Sequence, residues 1–262
     1  MKSLKCTFAA IFVIALIIAH TAVAQARTVK MVFWYPGEAG STVEGQPVLD
    51  AFFDYVSKKI APDKMEGRYF NGVSDGLQYI MKEKPAVGIV SFAAWSQNST
   101  KLGGAKILLA TLPMPSGQPT ERYTLVGTAT DIKAGTNVMS SEPLSEAFVR
   151  NALFKKIPAG LKFTQTPQLF ANLKKIADGS LNAAAILTPN EAQTLQKISA
   201  AWVKSLKEIA LSEPVPTARL IVFDQGWNGS EKFKQALLQI GSDSSAKDFM
   251  DEMRLAGFAE IK

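Results

Sequence analysis

Strands and helices alternate through residues 27–95 with a regularity that leaves little choice of fold class. Residues 29–34 (Val-Lys-Met-Val-Phe-Trp) are apolar and β-rich, the pattern of a buried strand. Tyr35-Pro36-Gly37-Glu38-Ala39-Gly40-Ser41-Thr42 breaks that run. Pro47 suits the first turn of a helix, and Leu49, Phe52, Phe53, Val56 and Ile60 follow at helical spacing. Next come a short strand over 67–70, a helix capped by Ser74, a strand over 86–90 and an aromatic-rich turn through Trp95. Such alternation calls for a mostly parallel sheet with helices on both faces, an α/β fold.

The remainder of the chain repeats the theme between two proline-rich breaks. After a strand over 105–112, Pro113-Met114-Pro115-Ser116-Gly117-Gln118-Pro119 is the first break, and Pro214-Val215-Pro216 is the second. Between them, strands are expected over 123–128, 137–140, 162–164 and 183–187. One helix has Pro143 in its first turn. Another, opened by Thr166-Pro167, carries Leu169, Phe170, Leu173 and Ile176 and ends before Gly179. Thr188-Pro189-Asn190-Glu191 joins a capping box to a proline in the first turn. A strand over 219–223 and two helices, through Phe233, Leu237 and Ile240 and through Phe249, Met250 and Met253, close the chain. The breaks suggest a discontinuous first lobe, 27–117 with 219–262, and a second lobe, 118–218. A single continuous domain is the alternative.

Residues 1–26 read as a signal peptide cleaved after Ala26. Lys2 and Lys5 precede an apolar run over 8–19, and Ala24-Gln25-Ala26 is a small-x-small cleavage site. The run is short for a membrane span. Cys6 and His20 are the only cysteine and histidine, and both lie in this leader. The mature chain therefore holds no disulfide, no thiolate nucleophile, no Ser-His-Asp triad and no zinc site built on His or Cys. The formal charge is +6, of which Lys2 and Lys5 supply two units. No Lys/Arg cluster of the nucleic-acid-binding kind is present, and Lys58-Lys59 and Lys174-Lys175 read as solvated faces.

In an open α/β sheet a ligand sits at the carboxyl ends of the strands, near helix N-termini that attract anions. Gly40, Ser41 and Thr42 offer backbone and hydroxyl donors after the first strand, though the loop lacks the Gly-Lys-Ser/Thr of a nucleotide-binding loop. Tyr35, Phe92 and Trp95 follow strands, where aromatic rings either fill the core or touch a ligand. Ser74 and Thr188 are candidate ligand donors that equally serve as helix caps. Ser140 and Ser141 are the candidate donors of the second lobe. Glu38, Glu142 and Glu191 are the carboxylates that acid-base chemistry would need, but no spacing pairs them, and no Gly-x-Ser-x-Gly motif is present. Trp227, between Gly226 and Asn228, is a loop aromatic whose facing the sequence does not fix.

Several segments in order resemble the periplasmic solute-binding proteins with two lobes and two crossovers, in particular the phosphate/phosphite/phosphonate-binding branch. They are PVLDAFFDYVSKK (47–59), GVSDGLQYIMKEKPAVGIV (72–90) with the aromatic turn after it, FANLKKIADGSLNAAAIL (170–187), EPVPTARLIVF (213–223) and the tail over 233–258. One departure bears on the ligand: where that branch has a Gly/Ser/Thr-rich turn, this chain reads Met139-Ser140-Ser141-Glu142-Pro143-Leu144. The resemblance implies an exported, monomeric protein of the periplasm. It would close by a hinge on a small, anionic, phosphonate- or phosphate-like ligand and deliver it to an ABC permease, with no cofactor, no metal and no catalysis. A sensing module for a signalling partner and an enzyme on the same fold are the alternatives.

Overall fold

The computed structural model describes residues 26–38 and 41–261. The expected leader lies outside these residues apart from Ala26. So does Gly40, and the side chain of Thr42 is likewise not described.

β1 (Thr28–Trp34) lies in a six-stranded sheet between the edge strand β2 (Lys64–Phe70) and β3 (Val87–Val90), and runs parallel to both. Beyond β3 the order continues with β12 (Arg219–Val222), β4 (Lys106–Pro113) and β13 (Leu255–Ala259). β12 is antiparallel to both β3 and β4, and β13 is antiparallel to β4. β1 to β4 therefore all run one way. The second sheet has the order β10 (Lys207–Leu211), β6 (Thr124–Gly127), β9 (Ala183–Leu187), β7 (Asn137–Ser140) and β8 (Lys162–Gln165). There β7 is parallel to β8 and β9, and only β6 runs against the rest. Each sheet is thus mostly parallel in strand direction; β6 and β12 run against the rest where the chain arrives from the other sheet, and β13 does so at the edge of the first sheet. The two passages between sheets pair with each other as a short antiparallel ribbon, β5 (Thr120–Glu121) with β11 (Val215–Pro216).

Period-two patterning sends β1 side chains to both faces. Val29, Met31 and Phe33 enter one cluster, and Val32 and Trp34 enter another across the sheet. The first cluster is completed by α1 (Thr42–Ile60), whose Leu49, Phe52, Phe53, Val56 and Ile60 present one helical face. It is also completed by α7 (Ser230–Ile240) and α8 (Lys247–Glu252) through Phe233, Leu237, Phe249 and Met250. Phe33, Phe52, Phe53 and Phe249 meet edge to face at 5.4–6.1 Å between centroids, adding about 1 kcal/mol per pair beyond burial. α2 (Val73–Glu83) and α3 (Phe92–Asn98) cover the opposite face. The second sheet is likewise sandwiched, by α4 (Glu146–Phe148) with the π-turn that continues it on one face. α5 (Leu169–Ala177) and α6 (Pro189–Lys197) cover the other.

Four local expectations are corrected. α1 begins at Thr42, with Pro47 inside it, because the Ser41/Glu44 capping box starts the helix a turn before the proline. The cap of α2 is Gly72, and Ser74 is exposed within its first turn. The aromatic turn is the helix α3, whose cap Ser91 accepts from the Ala94 N–H at 3.3 Å. The region expected to be wholly helical at the chain's end instead finishes as the edge strand β13, where Leu255 and Phe258 are buried.

Candidate functional site

A cavity of about 420 Å³ lies between the carboxyl ends of the two sheets. Tyr35 follows β1, Tyr69 lies near the end of β2 and Ser91 follows β3. Glu142 stands two residues beyond β7, and Thr188 one beyond β9. Glu121 and Thr217 enter from the crossover ribbon, and Arg254 from the turn before β13. Both lobes and the crossover ribbon therefore contribute wall to one space, as the topology of open α/β sheets favours. A second cavity, about 400 Å³, lies on the flank of the first lobe, where Lys30 and Glu83 pair at 2.7 Å. It touches only one lobe.

The lobes meet around the mouth of the interlobe cavity. Gly37 abuts the backbone of Ser141 and Glu142. Gln97 of α3 donates to the Pro143 carbonyl at 3.1 Å and accepts from the Ser145 N–H at 2.7 Å. Arg254 donates to Gln193 Oε1 of α6 at 2.6 Å. Phe92 lies against Phe148 with centroids 6.0 Å apart.

Two helix N-termini point their first turns at the cavity, and both are already occupied by their own side chains. In α1 the Glu44 carboxylate accepts from the Ser41 N–H at 2.7 Å while Ser41 Oγ accepts from the Glu44 N–H at 3.3 Å. In α6 the Glu191 carboxylate accepts from the Thr188 N–H at 2.8 Å and Thr188 Oγ1 accepts from the Glu191 N–H at 3.3 Å. Pro189, first in α6, has no N–H to give. These capping boxes satisfy donors that an anion would otherwise use, and they place carboxylate charge at the helix ends.

The charges around the cavity are predominantly acidic. Glu142 is buried, accepts from the Tyr123 hydroxyl at 2.8 Å and makes no ion pair among the described residues. Burial pushes its carboxyl up to about 8, against the Tyr123 hydrogen bond; Glu121, Glu38 and Glu191 push the same way as burial. Burial and Glu38 push Glu121 up to about 7, partly offset by Arg219. Glu38 stands at the rim with much of its surface open, yet the groups packed around its carboxyl, and then Glu191, raise it too, while Arg254 pulls it down. Tyr35, Tyr69 and Tyr123 are all raised, first by burial and then by these carboxylates. Among the described residues no three His, Cys, Asp or Glu side chains stand close enough to share a metal ion.

Of the residues singled out in the sequence, Tyr35, Ser41 and Thr188 line the cavity, the last two as caps. Ser140 is buried and donates to the Glu142 carbonyl at 2.6 Å, so it shapes the turn that carries Glu142. The Ser141 carbonyl packs on Gly37 and accepts from Gln165 at 3.0 Å. Phe92 serves the lobe contact, Trp95 packs with the α2–α3 cluster, and exposed Ser74 is not among the cavity's lining residues. Trp227 is buried in the first lobe, its indole donating to Asp63 at 2.9 Å. Glu38 and Glu142 face the cavity, whereas Glu121, Tyr69, Tyr123 and Arg254 gave no sequence signal. Long-range pairing brings those four to the site.

Solved structures share this architecture. XAC2383 from Xanthomonas citri, bound to chloride ion, matches with a TM-score of 0.71 at 13% identity, over 90% of this chain and 92% of that one. A binding protein component of an ABC phosphonate transporter from Pseudomonas aeruginosa matches at 0.64 and 12% identity, over 90% and 82%. A periplasmic His/Glu/Gln/Arg/opine family-binding protein from Silicibacter pomeroyi, in complex with lysine, matches at 0.52 and 9%, over 86% and 96%. No protein-family model and no curated protein matches the chain. The fold is the two-lobe fold of periplasmic binding proteins. No helix among the described residues is long and apolar enough to cross a membrane.

Proposed function

We propose that this chain is an exported solute-binding protein that captures a small ligand by hinge closure and hands it to an ABC-type permease. The observation that carries the reading is a cavity walled by both sheets and their crossover ribbon, with lobe-to-lobe contacts around its mouth. A ligand touching both walls favours the shut state by its differential contacts alone, and the two-stranded ribbon is the natural hinge. The lobe boundaries then fall where the proline-rich breaks lie, 27–117 with 219–262 against 118–218. The protein acts in the periplasm as a monomer without cofactor and without catalysis, after removal of residues 1–26.

The size of the cavity, about 420 Å³, belongs to the small end of ligand pockets. The phosphonate-like oxyanion implied by the sequence resemblance meets self-capped helix ends and several carboxylates there, so likeness of fold does not carry that ligand to this chain.

Small-angle scattering tests the reading. A panel of oxyanions, amino acids and amines is first screened by thermal shift, and any stabilising solute is then added in saturating amount. The expected result is a smaller radius of gyration on binding. A stabilising solute that leaves the scattering curve unchanged would remove hinge capture.

A further inference from the structure

The cavity carries a second, sharper message about what it holds. Five carboxylates line it: Glu38, Glu121 and Glu142, with Glu44, which caps its own helix, and Glu252; Glu191 stands close enough to raise Glu38 and Glu142. Two cations answer them. Arg254 is exposed at the rim and already engaged with Gln193. Arg219 is buried beside Glu121, with an Nη1 that meets no hydrogen-bond partner among the described residues, yet it makes no ion pair.

Glu142 is the telling member. It is 7% exposed, one oxygen is met by Tyr123, and no described cation pairs with it. An unpaired buried carboxylate is expensive, and a buried carboxyl of this kind facing a cleft marks a candidate ligand contact. The surrounding wall is aromatic: Phe33, Tyr35, Tyr69 and Tyr123. Aromatic faces with carboxylates form the environment that stabilises an ammonium group. The helix N-termini, the usual anion donors of such a cleft, are closed by Glu44 and Glu191.

We propose that the interlobe cavity takes a small organic cation, an amine or quaternary ammonium, held by Glu38, Glu121 and Glu142 against the tyrosine rings. A metal ion fits less well, because the carboxylates are spread along the walls and converge on no common point. The inference rests on the cavity being the ligand site of a two-lobe capture protein. Its consequence is proton release: a bound ammonium pulls back carboxyl groups that burial and mutual repulsion hold partly protonated, so affinity rises with pH until they are ionised in the free protein.

The test uses the mature chain with putrescine, L-lysine and choline as cation probes, and phosphate and methylphosphonate as anion probes. Calorimetry runs at pH 6 and pH 8, in two buffers of different ionisation enthalpy. At least one cation should bind, at least fivefold more tightly at pH 8, with protons released to the buffer, while neither anion binds. Glu142→Gln keeps the side-chain shape and the Tyr123 contact, and Glu38→Gln changes a rim residue that the core does not need. Each should weaken the cation at least tenfold and flatten the pH response. Binding of phosphate or methylphosphonate without any cation overturns the cation assignment and leaves hinge capture standing. Cation binding without compaction in scattering removes hinge capture and leaves the assignment standing. No binding by any of the three cations overturns the proposal.

Discussion

A Cβ added to Gly37 would lie 2.6 Å from the Glu142 Cα, so the backbones of the two lobes touch only because this residue has no side chain. Gly37 also has φ +87°, a left-handed conformation that suits glycine. Gly37→Ala is expected to leave each lobe folded but prevent full closure. Ligand affinity should fall roughly tenfold or more, the equivalent of about 1.4 kcal/mol. Scattering with and without the binding solute checks it, and ligand-induced compaction equal to that of the unaltered protein would sink the idea.

Under the proposed hinge capture, Gln97 is a clasp between the lobes. Its amide donates to Pro143 O and accepts from Ser145 N, both across the lobe boundary, and a further bond to Ala93 O at 3.1 Å holds the side chain to its own helix. Gln97→Ala removes two cross-lobe bonds worth about 1 kcal/mol each. Affinity should drop roughly 5- to 30-fold, chiefly through faster release. Stopped-flow release rates decide it, and an unchanged off-rate would argue that the clasp is incidental.

Gly76 has a purely structural duty. It sits on α2 against the Trp34 indole, whose Cγ would stand 2.8 Å from an added Cβ, and Trp34 Nε1 donates to Gly72 O at 2.9 Å. Trp34 is fully buried at the end of β1, so it cannot step aside. Gly76→Ala should destabilise by about 1–3 kcal/mol through overpacking, despite the better helix propensity of alanine. Thermal unfolding reads the effect, and a neutral or higher melting temperature would show that the helix simply shifts.

The sequence makes the frame readable and most of the site not. β1, β9, the apolar face of α1 and the Thr188 capping box follow from local periodicity and cap chemistry, which depend on neighbours within a few residues. Pro47 misdirects the start of α1, since a strong capping box tolerates a proline one turn in. β13 hides because Leu255 and Phe258 straddle Gly257 at φ 155°, which breaks the period of two. Glu38 and Glu142 are visible as carboxylates after strands, and their partner Glu121 is not. Its place depends on the pairing of Glu121 with Val215, 94 positions away in the chain, which no local pattern encodes.

The acidic cavity also sets the direction of the pH response. Burial and carboxylate repulsion hold Glu142 up to about 8 and Glu121 up to about 7, against an ordinary value of 4.5. Because these values are raised in the folded structure, the folded state binds more protons than the unfolded chain between about pH 4.5 and 8. Their contribution is therefore largest at the acid end of that window and is lost as pH rises through 7 and 8. The only histidine, His20, lies in the expected leader, so the mature chain has no imidazole to obscure the titration. Asp243 acts in the opposite sense: hydrogen bonds from Ser245, Lys59 and Tyr55 hold it low, and it matters only at more acid pH. The ligand-free mature protein should thus melt higher at pH 5.5 than at pH 8, by roughly 3–10 °C, on the order of 1–3 kcal/mol. Glu142→Gln should raise the melting temperature at pH 8 and flatten the profile, since a neutral amide keeps the contact with Tyr123 and removes the buried charge. A flat profile in the unaltered protein would mean that water reaches these carboxylates freely and that closure does not bury them.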